Sequence, residues 1–463
     1  MSKTNTTTYV PPFGIKDKLG YMFGDLGNDF SFILSSSFML KFYTDVMGIS
    51  AGLVGSLMMA SRFIDAVTDV TMGQIVDRSR PKKDGKFIPW MKLACGPVAI
   101  TSFLIYQSAF ADMAYGFKVL WMFVTYILWG SIFYTAVNIP YGSMVSAISS
   151  EPEHRAQLST WRTIGATLAG LIIGAGVPLV AYEVVNGNTI LSGSRMTIIA
   201  GIFSVLSLVC YFLCFRLAHE RVTVPVNNQR LDVRKIVRNL LTNRALLGII
   251  LAAILLLVAM LGMQGIAGYV FPNFYGSATA QSVASFTGSI AILVFCAPLA
   301  SRLSARFGKK ELSTVSTALG AVVYLICLLV RPENPYVYVA FYTLAYVGFG
   351  FFNTVIWAMI TDVIDDAQLR NGVREDGTIY AVYSFARKLG QAASSGMIGA
   401  LLSLIGYNTQ TAFDPAVTEG IFRMSCIIPA AGMGAVALAL AFVYPLNKRK
   451  VEENNQLLRE RKN

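Results

Sequence analysis

The feature that most restricts this chain is a succession of apolar runs between Tyr21 and Tyr444. Each is about as long as the roughly 20 helical residues that a bilayer core requires. Split at prolines, glycines and charge clusters, the runs fall near 20–46, 51–76, 88–111, 116–147, 157–184, 195–216, 246–272, 281–305, 312–330, 336–362, 379–407 and 420–444, twelve in all. Hydrocarbon holds no water to satisfy a backbone, so only helices or closed barrels cross it, and the runs lack the ten-residue alternation of barrel strands. Composition agrees, with 54% apolar side chains and only 14% charged, where soluble domains carry about 25% charge. The expected fold is therefore an all-α membrane protein with twelve transmembrane helices. A soluble enzyme, a secreted disulfide scaffold and a disordered tail protein are excluded.

The formal charge of +12 sits in short loops between the spans. Lys16 and Lys18, the cluster Arg78 to Lys86, Arg216 to Arg244, Arg302 to Lys310, and Lys448 to Lys450 alternate with loops holding little beyond Lys118, Arg195 and Arg331. The positive-inside rule then puts both termini in the cytoplasm of a multi-pass protein of the cell membrane, and reads the basic charge as orientation rather than nucleic-acid binding. The six cysteines lie inside apolar runs without a CxxC pair and read as packing residues. The polar stretch before Gly20 lacks an apolar core with a cleavage site, so no removed signal is expected.

The longest basic interruption divides the chain into two sets of six spans, giving 1–218, a cytoplasmic middle loop 219–245, and 246–463 with a short cytoplasmic tail. Leu231, Val233, Ile236, Val237, Leu240 and Leu241 alternate with Arg234, Lys235 and Arg238 at helical spacing, as in a short helix lying on an anionic leaflet. Basic turns at equivalent places, Gly73 to Lys86 after the second span and Ala300 to Lys310 after the eighth, make the halves echo each other. The first of these turns resembles the cytoplasmic loop motif of the major facilitator superfamily. In such folds the substrate site lies between the halves near the midplane.

An ionisable group inside a span costs about 2.5–3.5 kcal/mol on insertion scales, so each needs a partner or a task. Asp25 and Asp29 share a face of span one, Arg62, Asp65 and Asp69 a face of span two, and Asn138, Arg162, Arg387 and Lys388 lie in spans four, five and eleven. Buried ion pairs such as Arg62 to Asp65 are the structural reading. The functional reading is that Asp65 and Asp69 leave an excess of negative charge one arginine cannot cancel, making an oxygen site for a small monovalent cation or a proton. Asp45, Asp77, Asp362, Asp365 and Asp366 fall near span ends and read as interfacial. Gly170 and Gly174 have the spacing of close helix packing. Of the span-four aromatics Trp121, Tyr126, Phe133, Tyr134 and Tyr141, one ring could stack on a sugar, though packing is the plainer role. Phosphate-loop, nucleophile-elbow and HExxH signatures are missing, and His154 and His219 fall in basic loops, so no catalytic residue is assigned and uphill work must draw on an ion gradient.

Tyr43 to Asp45, Arg62 to Asp69, Gly85 to Trp90, Asn138 to Ser143 and Ser384 to Gln391, in that order, resemble the glycoside-pentoside-hexuronide:cation symporters, to which the melibiose and glucuronide carriers belong. The resemblance runs from about Lys16 to Lys448. It implies Asp65, Asp69, Thr135 and Asn138 as cation-binding positions and Asp29, Asn138, Arg162 and Lys388 as sugar-binding positions, with Lys388 near the cation. Asn138 stands where the melibiose carrier has a shared aspartate, and Gly142 where it has a tryptophan, which moves the run toward the glucuronide and pentoside carriers. No phosphotransferase-like domain is expected after span twelve. The implied partners are a small sugar, a monovalent cation (Na+, with H+ or Li+ as alternatives) and membrane lipid, with no nucleic acid, no cofactor and no metal beyond the coupling ion. The implied function is sugar:cation symport. A lysolipid or drug carrier on the same fold and a sugar receptor that does not transport are the alternatives.

Overall fold

A computed structural model describes residues 11–82, 84–222, 243–371 and 376–460. The amphipathic stretch Leu231 to Leu241 lies outside them. The long helices are α1 (Ile15–Lys41, prolonged by a π-helical turn Phe42–Val46), α2 (Ala51–Arg78), α3 (Ile88–Ile105), α4 (Tyr115–Ile148), α5 (Glu153–Ala181), α6 (Gly193–Leu217), α7 (Arg244–Phe274), α8 (Ala278–Phe307), α9 (Lys309–Val330), α10 (Pro335–Asn371), α11 (Asp376–Leu404) and α12 (Pro415–Val443). A thirteenth helix, α13 (Lys448–Glu460), follows them.

Among the described residues nine of these helices are apolar and long enough to span a bilayer. The three that fall short, α1, α2 and α11, carry Asp25 and Asp29, Arg62 to Asp69, and Arg387 with Lys388. They lose apolarity where they gain charge. Each packs into the seam between bundles: α1 against α5, α6 and α7, and α2 against α4 and α11. At the α2–α11 crossing a Cβ on Gly55 would stand 2.9 Å from both the Gly399 Cα and the Ser395 carbonyl, so the helices meet backbone to backbone. Large apolar side chains on outer faces, such as Leu93, Val205, Leu329 and Phe442, are exposed where lipid would cover them.

Several boundaries differ from expectation: span three ends at Ile105 rather than 111 and span twelve starts at Pro415 rather than 420, and three further departures bear on the fold. Span five ends at Ala181, and Tyr182–Val185 pairs with Asn188–Leu191 in an antiparallel hairpin. Its turn is Asn186-Gly187, both at positive φ (50° and 84°) as a tight primed turn requires, so 182–184 are strand and the fold is all-α except for this ribbon. Helix α10 continues past 362 because the interfacial carboxylates find partners there: Asp362 takes Lys309 Nζ at 2.7 Å, and Asp366 takes Arg370 at 2.9 Å and the Asn454 amide of α13 at 3.1 Å. His154 lies in the first turn of α5, stacked on Phe13 at 4.0 Å, not in a loop.

The end of the bundle carrying the basic loops is clamped by the residues that follow the first bundle directly, Glu220 and Arg221. The Glu220 carboxylate accepts the backbone N–H groups of Lys86 (2.7 Å), Phe87 (2.9 Å) and Ile88 (2.8 Å), closing the open N-terminus of α3. Gly85 (φ +108°) lets the chain turn there, and any Cβ on it would run into that carboxylate. Next to it, Arg221 grips buried Asp17 of α1 with two bonds of 2.8 and 2.9 Å, and its N–H reaches the Ala147 carbonyl of α4 at 2.7 Å. One short segment thus ties α1, α3 and α4 together.

At the opposite end, hydrogen bonds join the two bundles. Lys41 Nζ of α1 is buried on Asp45 (2.7 Å) and on Asn273 of α7 (2.8 Å), while Tyr407, beyond α11, donates to Asp45 at 2.8 Å. Thr44 and Tyr269 add a contact at 3.3 Å, and the ribbon's Thr189 bonds the Gly276 carbonyl at 2.8 Å. The bundles are latched at this end.

Candidate functional site

Two charged clusters lie in the seam below that latch. The first is built by α2, α4 and α11. Asp65 and Asp69 are one helical turn apart, so both face the same neighbours. On α4, Ser131 donates to Asp65 Oδ1 at 2.6 Å and Thr135 to Asp69 Oδ1 at 2.8 Å, the same four-residue step on the facing helix. Asp65 Oδ2 accepts from Arg62 at 3.2 Å, and Lys388 Nζ sits directly on Asp69 Oδ2. The expected negative excess is therefore absent. Lys388 arrives from a helix 323 positions beyond Asp65, and two cations balance two carboxylates. What remains is a neutral quartet with two hydroxyls, in which an ammonium occupies a carboxylate oxygen that a metal cation would use.

The second cluster is built by α1, α4 and α5. Arg162 donates to Asp25 Oδ1 at 2.9 Å and lies over the Tyr141 ring at 5.4 Å, while Tyr141 donates to the Tyr21 carbonyl at 2.7 Å and stacks on its ring. Asp25 is 6% exposed. The arginine thus pairs with Asp25 rather than Asp29. Asp29, one turn further along α1, is half-buried and has no hydrogen-bond or ion-pair partner among the described residues. A carboxylate left without a partner beside a satisfied ion pair is available to an incoming donor such as a sugar hydroxyl.

Phe32 joins the clusters. It follows Asp29 by three residues on α1, carries the Arg62 guanidinium over its ring at 5.4 Å, and stacks on Tyr134 of α4 at 5.7 Å. Asn138 completes the α4 stripe of Ser131 and Thr135 at helical spacing, is half-buried, and its side chain makes no hydrogen bond among the described residues. Of the expected site residues, Asp65, Asp69, Thr135 and Lys388 come together on one side and Asp29 and Arg162 on the other, with Asn138 on the helix between. Lys388 stands with the cation residues and not with Asp29 and Arg162. Ser131 was not among the sequence candidates, although its four- and seven-residue spacing to Thr135 and Asn138 signals it. Among the aromatics, Trp121 donates to the Leu104 carbonyl at 3.0 Å and Tyr126 packs on Trp129, so both serve the core. Arg387 turns from the quartet and lies over Trp357 at 5.7 Å.

Two helical bundles, latched at one end, with compensated charges lining their seam define a membrane transporter rather than an enzyme. The chain belongs to the family described as MFS/sugar transport protein, whose model matches residues 20–448. It is 29% identical to the glucuronide carrier protein homolog of Escherichia coli (strain K12) over 435 residues, covering 94% of this chain and 93% of that one. It is also 29% identical to the isoprimeverose transporter of Lactiplantibacillus pentosus, covering 93% and 89%. The crystal structure of a D-xylose-proton symporter superposes with a TM-score of 0.66 at 14% identity, covering 93% of this chain and 98% of that one, which shows the shared fold.

Proposed function

We propose that the protein is a sugar:cation symporter of the cell membrane, with both termini and the basic loops in the cytoplasm. The first bundle (1–218) and the second (246–463), joined by the loop 219–245, move against each other as units. The observation that carries the reading is the pair of charged clusters on either side of α4, one balanced and hydroxyl-lined, the other with Asp29 unpartnered. Asp65 and Asp69, with Thr135 and the newly recognised Ser131, hold the cation. Asp29 and Arg162 hold the sugar, and Asn138 bridges the two.

Lys388 gives the coupling a physical basis. In the empty carrier its ammonium neutralises Asp69, so the quartet crosses the hydrocarbon without net charge. An arriving cation takes the same oxygen, displaces the ammonium, and makes the loaded site positive. Cation and sugar then stabilise each other through Asn138 and α4, and only the empty or fully loaded carrier reorients readily. The latch at Lys41, Asp45 and Tyr407 closes the extracellular side of this state. A glycoside, pentoside or glucuronide fits the sugar cluster, because Arg162 suits a carboxylate and Asp29 suits ring hydroxyls. Sodium is the expected coupling ion, with proton and lithium as its competitors. Uptake of labelled glucuronides, pentosides and glycosides into vesicles, with and without sodium or proton gradients, tests this. Cation-dependent accumulation of one class supports it, and sugar binding without accumulation makes the protein a receptor.

A further inference from the structure

Beyond Asp29 toward the latch, the seam opens into a cavity of about 190 Å³ between α1, α5, α7, α8 and α10, far more than the 10–15 Å³ that admits one water. Phe32 and Ile33 of its wall are three and four residues past Asp29, so the cavity begins one helical turn from the sugar cluster and continues it along α1. Gly170 and Gly174 of α5 leave the room, with Gly174 close enough to Ser285 of α8 that a Cβ would meet it at 3.2 Å.

Three side chains of the second bundle face this space with hydrogen-bonding capacity unspent. Gln281 of α8 is 6% exposed, yet its Oε1 has no hydrogen-bond partner among the described residues. A buried acceptor in that state is destabilising and is ordinarily found paired. Gln264 of α7 donates its amide N–H to Tyr346 Oη of α10 at 2.6 Å. That bond fixes the amide, leaves its carbonyl oxygen unused, and leaves the tyrosine proton free to donate. Among the described residues the cavity wall contains no Asp, Glu, Lys, Arg or His. Burying an ion there would be prohibitive, whereas hydroxyls could pair with the amides and a C–H face could lie on Phe32 and Leu261.

We propose that this cavity is a second recognition subsite, reading the uncharged, hydroxyl-bearing part of the substrate through Gln281, Gln264 and Tyr346. It rests on the sugar-symport reading and divides the labour within it. Asp29 and Arg162 take the charged or primary ring from the first bundle, and the amides of the second bundle select what is attached to it. A substrate held at both places draws the bundles together.

The test uses the full-length protein in detergent, with a transported sugar from the uptake panel as probe. Gln281→Leu should weaken sugar binding about tenfold or more, equivalent to about 1.4 kcal/mol, with the sodium or proton dependence of the residual binding kept. In a Ser285→Cys variant, the same sugar should slow alkylation by a small maleimide above the labelling of the parent. Wild-type affinity in Gln281→Leu overturns the subsite, and so does lost affinity without sugar protection at position 285, since Gln281 would then only hold helices. If Gln281→Leu does not fold, protection at position 285 decides alone. Asp29→Asn separates the two proposals. If it loses binding while Gln281→Leu does not, the subsite fails and the sugar cluster stands; if both bind as wild type, both readings fall.

Discussion

The clamp on α3 makes a prediction whose size follows from its geometry. Glu220→Ala removes an acceptor for three backbone N–H groups held at 2.7–2.9 Å. Hydrogen bonds to a charged group contribute about 1.5–3 kcal/mol each. Two oxygens serve three donors here and water reaches the half-buried site, so the net cost is about 2–4 kcal/mol, well below the simple sum. For a folding unit of about 200 residues, that lowers Tm by roughly 4–16 °C. Glu220→Gln keeps one oxygen but sets an amide N–H against an N–H, and should fall between. Gly85→Ala should cost somewhat more than Glu220→Ala, because the new Cβ displaces the carboxylate and the residue also sits at φ +108°. In a Glu220→Ala background the collision is gone, so Gly85→Ala should cost only the backbone strain, about 1–2 kcal/mol. Thermal unfolding of the four purified proteins reads this cycle. A Glu220→Ala protein melting within about 1 °C of wild type, or an equal Gly85→Ala cost in both backgrounds, would refute the reasoning.

Two further outcomes follow from the seam. Asp29→Ala should raise the sugar Kd about tenfold or more without lowering Tm, because that carboxylate has no partner to abandon; Arg162→Ala should do the same and also lower Tm, since it leaves Asp25 buried and unpaired, and calorimetric titration beside a melt distinguishes the two. Asn138→Asp should strengthen cation binding by adding a carboxylate to a neutral quartet, and Asn138→Leu should weaken both sugar affinity and its cation dependence; wild-type titrations against sodium and pH in the leucine variant would make position 138 a packing residue.

Much of this was legible because membrane helices announce themselves by length and because charge inside them is expensive. Asp65 with Asp69, and Asp25 with Asp29, are visible as same-face pairs from spacing alone. The pairing of the charges was not visible. Lys388 reaches Asp69, and Arg162 reaches Asp25 across 137 positions, through packing that no local spacing encodes. Spacing alone therefore leaves Asp69 with a surplus negative charge, which Lys388 of α11 neutralises. Helix α10 outran its apolar stretch because Asp362 and Asp366 are matched by Lys309 and Asn454 from other helices and by Arg370 one turn further along α10 itself. The Asn186-Gly187 turn was a readable hairpin signal, masked by the apolar Val184 and Val185 that prolong the span-five pattern. Gln281 gave no signal, since one glutamine among small residues means nothing until a cavity stands beside it.

The claim that Asp65 and Asp69 couple a cation to sugar movement is tested most directly in proteoliposomes carrying an inward cation gradient and a membrane potential, with wild type and Asp69→Asn compared at equal reconstitution. One charge moving through 100 mV releases about 2.3 kcal/mol, so wild type should accumulate labelled sugar roughly fifty-fold. Asp69→Asn should equilibrate the sugar, reaching the outside concentration and no further. Accumulation by Asp69→Asn equal to wild type would contradict the account, because the coupling ion would then bind without this carboxylate.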